Sequence, residues 1–199
     1  SLCAMAGTAL LVALTPLCAA AEATGRFAVI SDIHFDPFDP PGMAKGLATV
    51  DPADWAVHLA TATAKTPMSG YGKDTNYPLL ASALAAFGAE LGDADFVIVP
   101  GDLLSHTFES RAAAALGVAA DSDAVRDFAA ATTDFVLDTL GDTFAGKPVI
   151  VALGNNDSAC GDYELQPGGG YLASTSAAVK RLAGEDRVAM DFDQTYAAG

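Results

Sequence analysis

The sequence predicts an α/β domain built around a central, largely parallel sheet. Three observations carry that expectation. Three short runs are apolar and β-prone along their whole length, segments of helical periodicity lie between them, and each run ends in a cluster of polar residues. Strands that are apolar on both faces read as inner strands of a parallel sheet covered by helices, because a half-exposed strand would alternate.

The first run is Arg26-Phe27-Ala28-Val29-Ile30-Ser31. The segment that follows, from Asp36 to Tyr77, is rich in Pro, Gly, Thr and Asp and has weak periodicity. It reads as a long surface excursion, and excursions of that length are usually functional. Pro78 to Leu91 then places Leu79, Leu80, Leu84, Phe87 and Leu91 at helical spacings, leading into the second run, Phe96-Val97-Ile98-Val99-Pro100. A longer helix is expected from Asp121 to Phe144 on the spacing of Val125, Phe128, Phe135, Val136 and Leu140, with Asp121 or Ser122 as its N-cap and Gly146 as its stop. The third run is Pro148-Val149-Ile150-Val151-Ala152-Leu153, and Ser174 to Leu182 reads as a further short helix. Gly168-Gly169-Gly170 is a flexible turn without the pattern of a phosphate loop.

Composition narrows the function. The chain has 199 residues, 51% of them hydrophobic, enough for one domain with a substantial core. Its net charge is -15, with 25 acidic against 10 basic residues. Without a basic surface to displace counterions, non-specific nucleic-acid binding is not expected, nor is docking on anionic membranes. Residues 1–21 carry no charge and contain the run Ala9-Leu10-Leu11-Val12-Ala13-Leu14, then Pro16 and the small residues Ala19-Ala20-Ala21. This reads as a secretory signal peptide, too short in its apolar part for a membrane span, and it implies a secreted or periplasmic protein. The basic start of such a leader is missing before Ser1, so the sequence is expected to begin inside it. Cys3 and Cys18 fall in the leader, which leaves Cys160 alone: a small buried residue, or one that pairs with a cysteine outside this sequence.

The chemistry is expected at the strand ends. The first run gives Ser31-Asp32-Ile33-His34, the second Gly101-Asp102-Leu103-Leu104-Ser105-His106, the third Gly154-Asn155-Asn156-Asp157. Ligands of open α/β sheets bind at the carboxyl ends of the strands, so these clusters should converge. Asp32 and His34, two residues apart where strand gives way to loop, can turn toward one ion, and a carboxylate with an imidazole suits Zn, Fe or Mn. Asp102 has two oxygens with which to bridge a pair of ions, and Asn155 offers a neutral carbonyl oxygen. Each motif alone is common turn chemistry. All three in this order are far more specific.

As a set, they resemble the calcineurin-like metallophosphoesterase superfamily, over about Phe27 to Asp157. Two details are similar to its acid sphingomyelinase-like phosphodiesterase and endopolyphosphatase branch: the Gly101-Asp102-x-x-x-His106 spacing, and the stretch Tyr71-Gly72-Lys73-Asp74-Thr75-Asn76-Tyr77-Pro78. The resemblance implies an αββα sandwich with a central mixed, largely parallel sheet, of which residues 22–199 would form the N-terminal part. It implies two divalent metal ions held by Asp32, His34, Asp102 and Asn155, and attack on a phosphoric ester (a phosphodiester or polyphosphate bond) by a hydroxide between the ions. Asn156 stands where most members have a proton-donating His, as in some endopolyphosphatase-like members. Asparagine has no proton to give, so His106 becomes the candidate catalytic acid, or else a phosphate contact or a support behind the ligands. Asn156 and Asp157 are expected to orient neighbours or touch substrate.

The superfamily's later ligands are a lone His and a Gly-His-x-His motif. The only histidines of this sequence are His34, His58 and His106. His58, after Trp55 in the excursion, reads as a surface or core residue without a metal role. The chain by itself is therefore expected to be weakly active or inactive, the rest of the site lying beyond Gly199. A non-catalytic metal- or phosphate-binding fragment with half of the site is the alternative. A glycosidase using Asp32 and Asp102 would leave His34 and the Gly-Asn-Asn-Asp cluster without a purpose.

Overall fold

Three strands, β1 (Phe27–Val29), β2 (Phe96–Val99) and β3 (Val149–Val151), form one parallel sheet in the order β1-β2-β3. The computed structural model describes residues 24–199 apart from 145, 165 and 185. The expected leader, with Cys3 and Cys18, lies outside the described residues. In register, Val29 stands beside Ile98, and Ile98 beside Ile150. The three strands are where the apolar runs place them, each shorter than its run. All are parallel, so the antiparallel part of a mixed sheet is not among the described residues.

Among the described residues seven helices accompany the sheet: α1 (Met43–Leu47), α2 (Trp55–Ala62), α3 (Tyr77–Glu90), α4 (Phe108–Leu116), α5 (Asp123–Phe144), α6 (Gly170–Ala183) and α7 (Phe192–Ala198). Helix α5 is the centre of the core. It buries Val125, Phe128, Phe135, Val136, Leu140 and Phe144 and packs against α3, α4 and α6. Three threonines inside it, Thr132, Thr139 and Thr143, donate their hydroxyls back to carbonyls four residues earlier, which lets them sit in a helix without an orphaned polar atom. Its ends match expectation: Ser122 Oγ accepts from Val125 N at 3.4 Å, and Gly146 takes the left-handed conformation (φ 78°) that stops helices.

Two expectations need correction. The segment from Asp36 to Tyr77 is not a surface excursion. It contains α1, a 3₁₀ turn (Pro52–Asp54) and α2, and it buries Leu47, Trp55 and Leu59. Trp55, 1% exposed, lies 5.6 Å from the rings of Phe128 and Phe135 of α5, with its indole N–H donating to the Val50 carbonyl. One large aromatic side chain thus supplies burial that the weak periodicity of the segment does not advertise. Asn76 closes the segment: its side-chain oxygen accepts from Leu79 N to cap α3, and its amide donates to Asp39 and the Pro67 carbonyl. Second, the described residues cover the sheet on one face only. Val97, Val99 and Val149 are fully buried against the helices, whereas Phe27 (58%) and Ile150 (54%) on the opposite face are exposed.

The core also contains a carboxylate with a cost. Asp134 of α5 is half-buried, its Oδ1 has no hydrogen-bond partner, and its pKa is pushed up to about 6 by burial first, then by Asp138, with Arg181 opposing. Between the ordinary carboxyl value and about 6, the folded state binds more protons than the unfolded state, so stability falls as pH rises through that window. Solvent at the exposed part of the carboxyl screens the effect to about 1 kcal/mol. Asp134→Asn is therefore expected to raise the Tm by about 2–4 °C at pH 7.5 and to leave it unchanged at pH 4. Equal effects at the two pH values in a thermal unfolding series would contradict this account.

Candidate metal centre

The three loops that follow the strands are joined backbone to backbone. Past β1, the chain keeps pairing with the loop beyond β2: Asp32 N donates to Gly101 O (3.1 Å), His34 N to Asp102 O (2.8 Å) and Phe35 N to Leu103 O (2.7 Å). This extension carries Asp32 and His34 to the side of Asp102. Residues Asp32, His34 and Asp102 all have positive φ, at 54°, 43° and 56°. Left-handed backbone in non-glycine residues costs about 1–3 kcal/mol each and is retained where the surroundings over-determine it.

Glycine is obligatory at two points of this junction. A Cβ on Gly101 would lie 2.7 Å from Gly154 Cα, and one on Gly154 would lie 2.7 Å from Asp102 Cγ. The two loops are in van der Waals contact through their backbones, which brings the Gly-Asp and Gly-Asn-Asn-Asp clusters together. Asp157 locks the junction. Fully buried, its Oδ1 accepts from Leu103 N (2.7 Å) and Leu104 N (3.0 Å), and its Oδ2 from Gly154 N (2.8 Å). Burial raises its pKa; the three N–H groups oppose that and nearby Asp102 adds to it.

The polar side chains then converge. His34 Nδ1 donates to Leu104 O at 3.1 Å, which fixes the tautomer and leaves the Nε2 lone pair free. That Nε2 stands 4.0 Å from Asp32 Oδ1 and 4.0 Å from Asp102 Oδ2, within the span of two metal–ligand bonds of about 2.0–2.2 Å. Ser31 donates to the other oxygen of Asp32, and Asn156 donates through both its backbone N (3.0 Å) and Nδ2 (3.3 Å) to Asp102 Oδ1. Two carboxylates and an imidazole, each with one face free and the other held by the protein, fit a divalent ion. Asn155 lies on the same turn as Asn156, its backbone carbonyl accepting from Tyr163 N.

His106 is beside this cluster, on the loop before α4. Its ring stacks on that of His34, with centroids 4.2 Å apart and planes 16° from parallel. His34, His106 and Asp74 also bring ligand atoms within 4.8 Å of one another. Stacked imidazoles direct their in-plane lone pairs side by side, however, so they do not converge on one ion. His106 Nδ1 is instead 2.7 Å from Asp74 Oδ1, and Arg111 of α4 clamps Asp74 (3.0 Å) and Asp36 (2.7 Å) together while lying over the Phe38 ring. The sequence reading assigned no role to Asp74, Arg111 or Asp36. The signal was present in the Tyr71–Pro78 stretch, but only the folded chain shows its use: Thr75 pairs with the His34–Asp36 backbone and so delivers Asp74. His58 is away from this site, its ring next to Gly46. Cys160 is exposed, not buried as a small core residue, because the turn carrying it curls around the Ser158 hydroxyl.

Candidate ligands for a divalent ion thus meet at the carboxyl ends of a parallel sheet, where α/β domains bind their ligands. The chain belongs to the calcineurin-like phosphoesterase family, whose model matches residues 25–193. No curated protein matches it. The domain is thus a metal-dependent phosphoester hydrolase domain, with phosphoesters as its class of substrate. Among the described residues, no helix is long and apolar enough to cross a membrane.

The Asp157 lock gives a test of the junction. Asp157→Ala leaves three inward N–H groups without an acceptor, at about 1–3 kcal/mol apiece. Urea unfolding is expected to show a loss of at least about 3 kcal/mol. A loss below about 1 kcal/mol would mean that the two loops are held by something else.

Proposed function

We propose that the protein hydrolyses phosphodiester or polyphosphate bonds with two divalent ions, of zinc, iron or manganese, held by Asp32, His34, Asp102 and Asn155. The observation that carries this reading is the triangle of Asp32, His34 and Asp102 with the His106–Asp74 pair directly beside it. Divalent ions there would supply Lewis acidity to the phosphoryl oxygens and a water acidic enough to act as nucleophile near neutral pH. The residues do the rest. Leu104 O aims the His34 ring, Asn156 holds one oxygen of Asp102 so that the other faces inward, and Asp157 keeps both loops in register. The His106 side chain is 60% exposed, open to an incoming ester. With Nδ1 committed to Asp74, its Nε2 is the nitrogen left to give a proton to the departing oxygen. Asn156 is occupied with Asp102, which supports His106 as the residue that gives the proton. The likeness to sphingomyelinase-like and endopolyphosphatase-like enzymes belongs to this proposal, as does export directed by residues 1–21.

Metal analysis of the purified chain is expected to find bound Zn, Fe or Mn that is lost in Asp102→Asn while the fold persists. Bound metal with no turnover of any phosphodiester or polyphosphate would favour a binding module over an enzyme. The role of His106 shows in leaving-group dependence. His106→Ala should slow esters with alkoxide leaving groups by about 10²–10⁴-fold. The effect on a p-nitrophenyl diester, whose leaving group departs without a proton, should be under about tenfold. Asp74→Asn should follow the same pattern more weakly. Equal losses on both substrates would assign His106 to binding.

A further inference from the structure

Apart from the metal centre and Asp134 of α5, two further carboxylate oxygens are buried without a hydrogen-bond donor among the described residues: Glu109 Oε1 and Asp162 Oδ1. Glu109 is in the first turn of α4 and only 9% exposed. Asp162 comes from the loop after Asp157, and its other oxygen accepts from Thr107 N at 3.3 Å. Glu164 is close by. Burial above all pushes the Glu109 carboxyl up, and the charges of Asp162 and Glu164 add to it, while the backbone N–H groups of Glu109 and Gly161 oppose it. Glu109 and Glu164 line a cavity of about 560 Å³ together with Asp121, Cys160 and Arg126. Arg126 does not neutralise them, because its guanidinium is engaged by the Asp121 carbonyl and by Asp123.

A helix N-terminus favours negative charge, which accounts for an acid in the first turn of α4. It does not account for an inward oxygen with no donor, and such a group is costly unless something cationic meets it. A proton on Glu109 would satisfy one oxygen of the pair. A cation would satisfy both. The donors are all oxygen, drawn from a helix turn and an irregular loop, which suits a hard ion tolerant of uneven geometry and water ligands.

We propose that Glu109 Oε1 and Asp162 Oδ1 are ligands of a hard divalent cation of the calcium class, bound between the first turn of α4 and the loop after Asp157. Glu164 and Asp121 contribute field: among the described residues, the three-residue ligand shells are those around His34. The ion would tie the loop carrying Asn155, Asn156 and Asp157 to the helix that starts just after His106. Thr107, left-handed at φ 51°, is the joint between them. The site does not depend on the phosphoesterase reading.

The test is calcium titration of the whole chain by calorimetry and thermal unfolding, in three forms: unaltered, Asp32→Asn and Glu109→Gln. The expected result is one calcium bound at about 10⁻⁴–10⁻³ M and a Tm rise of about 2–4 °C in saturating calcium. Both should survive Asp32→Asn, which weakens the metal centre, and vanish in Glu109→Gln. Asp162→Asn serves in the same way if Glu109→Gln does not fold. No calcium response, or one that persists in Glu109→Gln and Asp162→Asn, overturns the proposal. So does a Tm that responds to acid but not to calcium, the signature of a proton shared by Glu109 and Asp162.

Discussion

The contact of Gly101 with Gly154 is the constraint on which the rest of the site depends. Two loops that leave neighbouring parallel strands would ordinarily be kept apart by their side chains. Here a Cβ at either position would overlap the opposite backbone, so the loops meet with nothing between them. Asp102 and Asn156 come within hydrogen-bond reach because of that approach, and so do the N–H groups that Asp157 gathers. A carboxylate with three backbone donors on two loops is a stronger tie than a hydrophobic contact of the same size, provided that it stays dry. Asp157 does stay dry, at the expense of a pKa raised by burial.

That junction also explains why strained residues persist. Asp32, His34 and Asp102 are left-handed within a short distance of one another, and although Asp and His tolerate that region better than most residues, three together are uncommon. What holds them is the continued pairing of the β1 loop with the β2 loop, through Gly101, Asp102 and Leu103 carbonyls, and the closure of the β2 loop by Asp157. The backbone is bent so that three polar side chains leave the sheet on the same side. Strain of this kind, concentrated in the residues that form the cluster, is what a preorganised cation site requires: the repulsion of two carboxylates is met by the fold before any ion arrives.

Much of this could be read from the residues, and the reasons for the remainder are physical. The strands announce themselves because β-branched and aromatic runs of that kind have few other uses, and α3, α5 and α6 because their apolar positions keep helical spacing. The order of the motifs after those strands predicted the meeting of Asp32, His34 and Asp102. The segment before α3 was misread since a single Trp55, packed at a tilt against two rings of α5, anchors it without periodicity. Likewise, α4 buries two alanines and a glutamate beside its one large apolar residue, Phe108, which gives a weak pattern. The open face of the sheet was invisible for another reason: an apolar strand states that both faces avoid water, not what covers them. Asp74 and Arg111 were missed because their pairing joins positions 37 residues apart, through a backbone bridge that only the fold creates.

The departure at position 156 is the most informative of these residues. A histidine there would have to choose between holding Asp102 and facing substrate. Asparagine makes the first choice outright, with its backbone N–H and its amide both on Asp102 Oδ1. In the proposed reaction the acid function then needs an imidazole fixed in tautomer and exposed enough to be reached. His106 meets those demands through parts drawn from elsewhere: Asp74 fixes Nδ1, Arg111 fixes Asp74, and Asp36 with the Phe38 ring fixes Arg111. Imidazole, carboxylate, guanidinium and carboxylate follow one another along this chain, so each member is held by the next. Asp36 in turn receives Phe38 N at 2.9 Å, which ties the chain to the backbone just after the Asp32–His34 motif. Candidate metal ligands and candidate acid are therefore positioned by one continuous structure, and displacing the segment before α3 would disturb both.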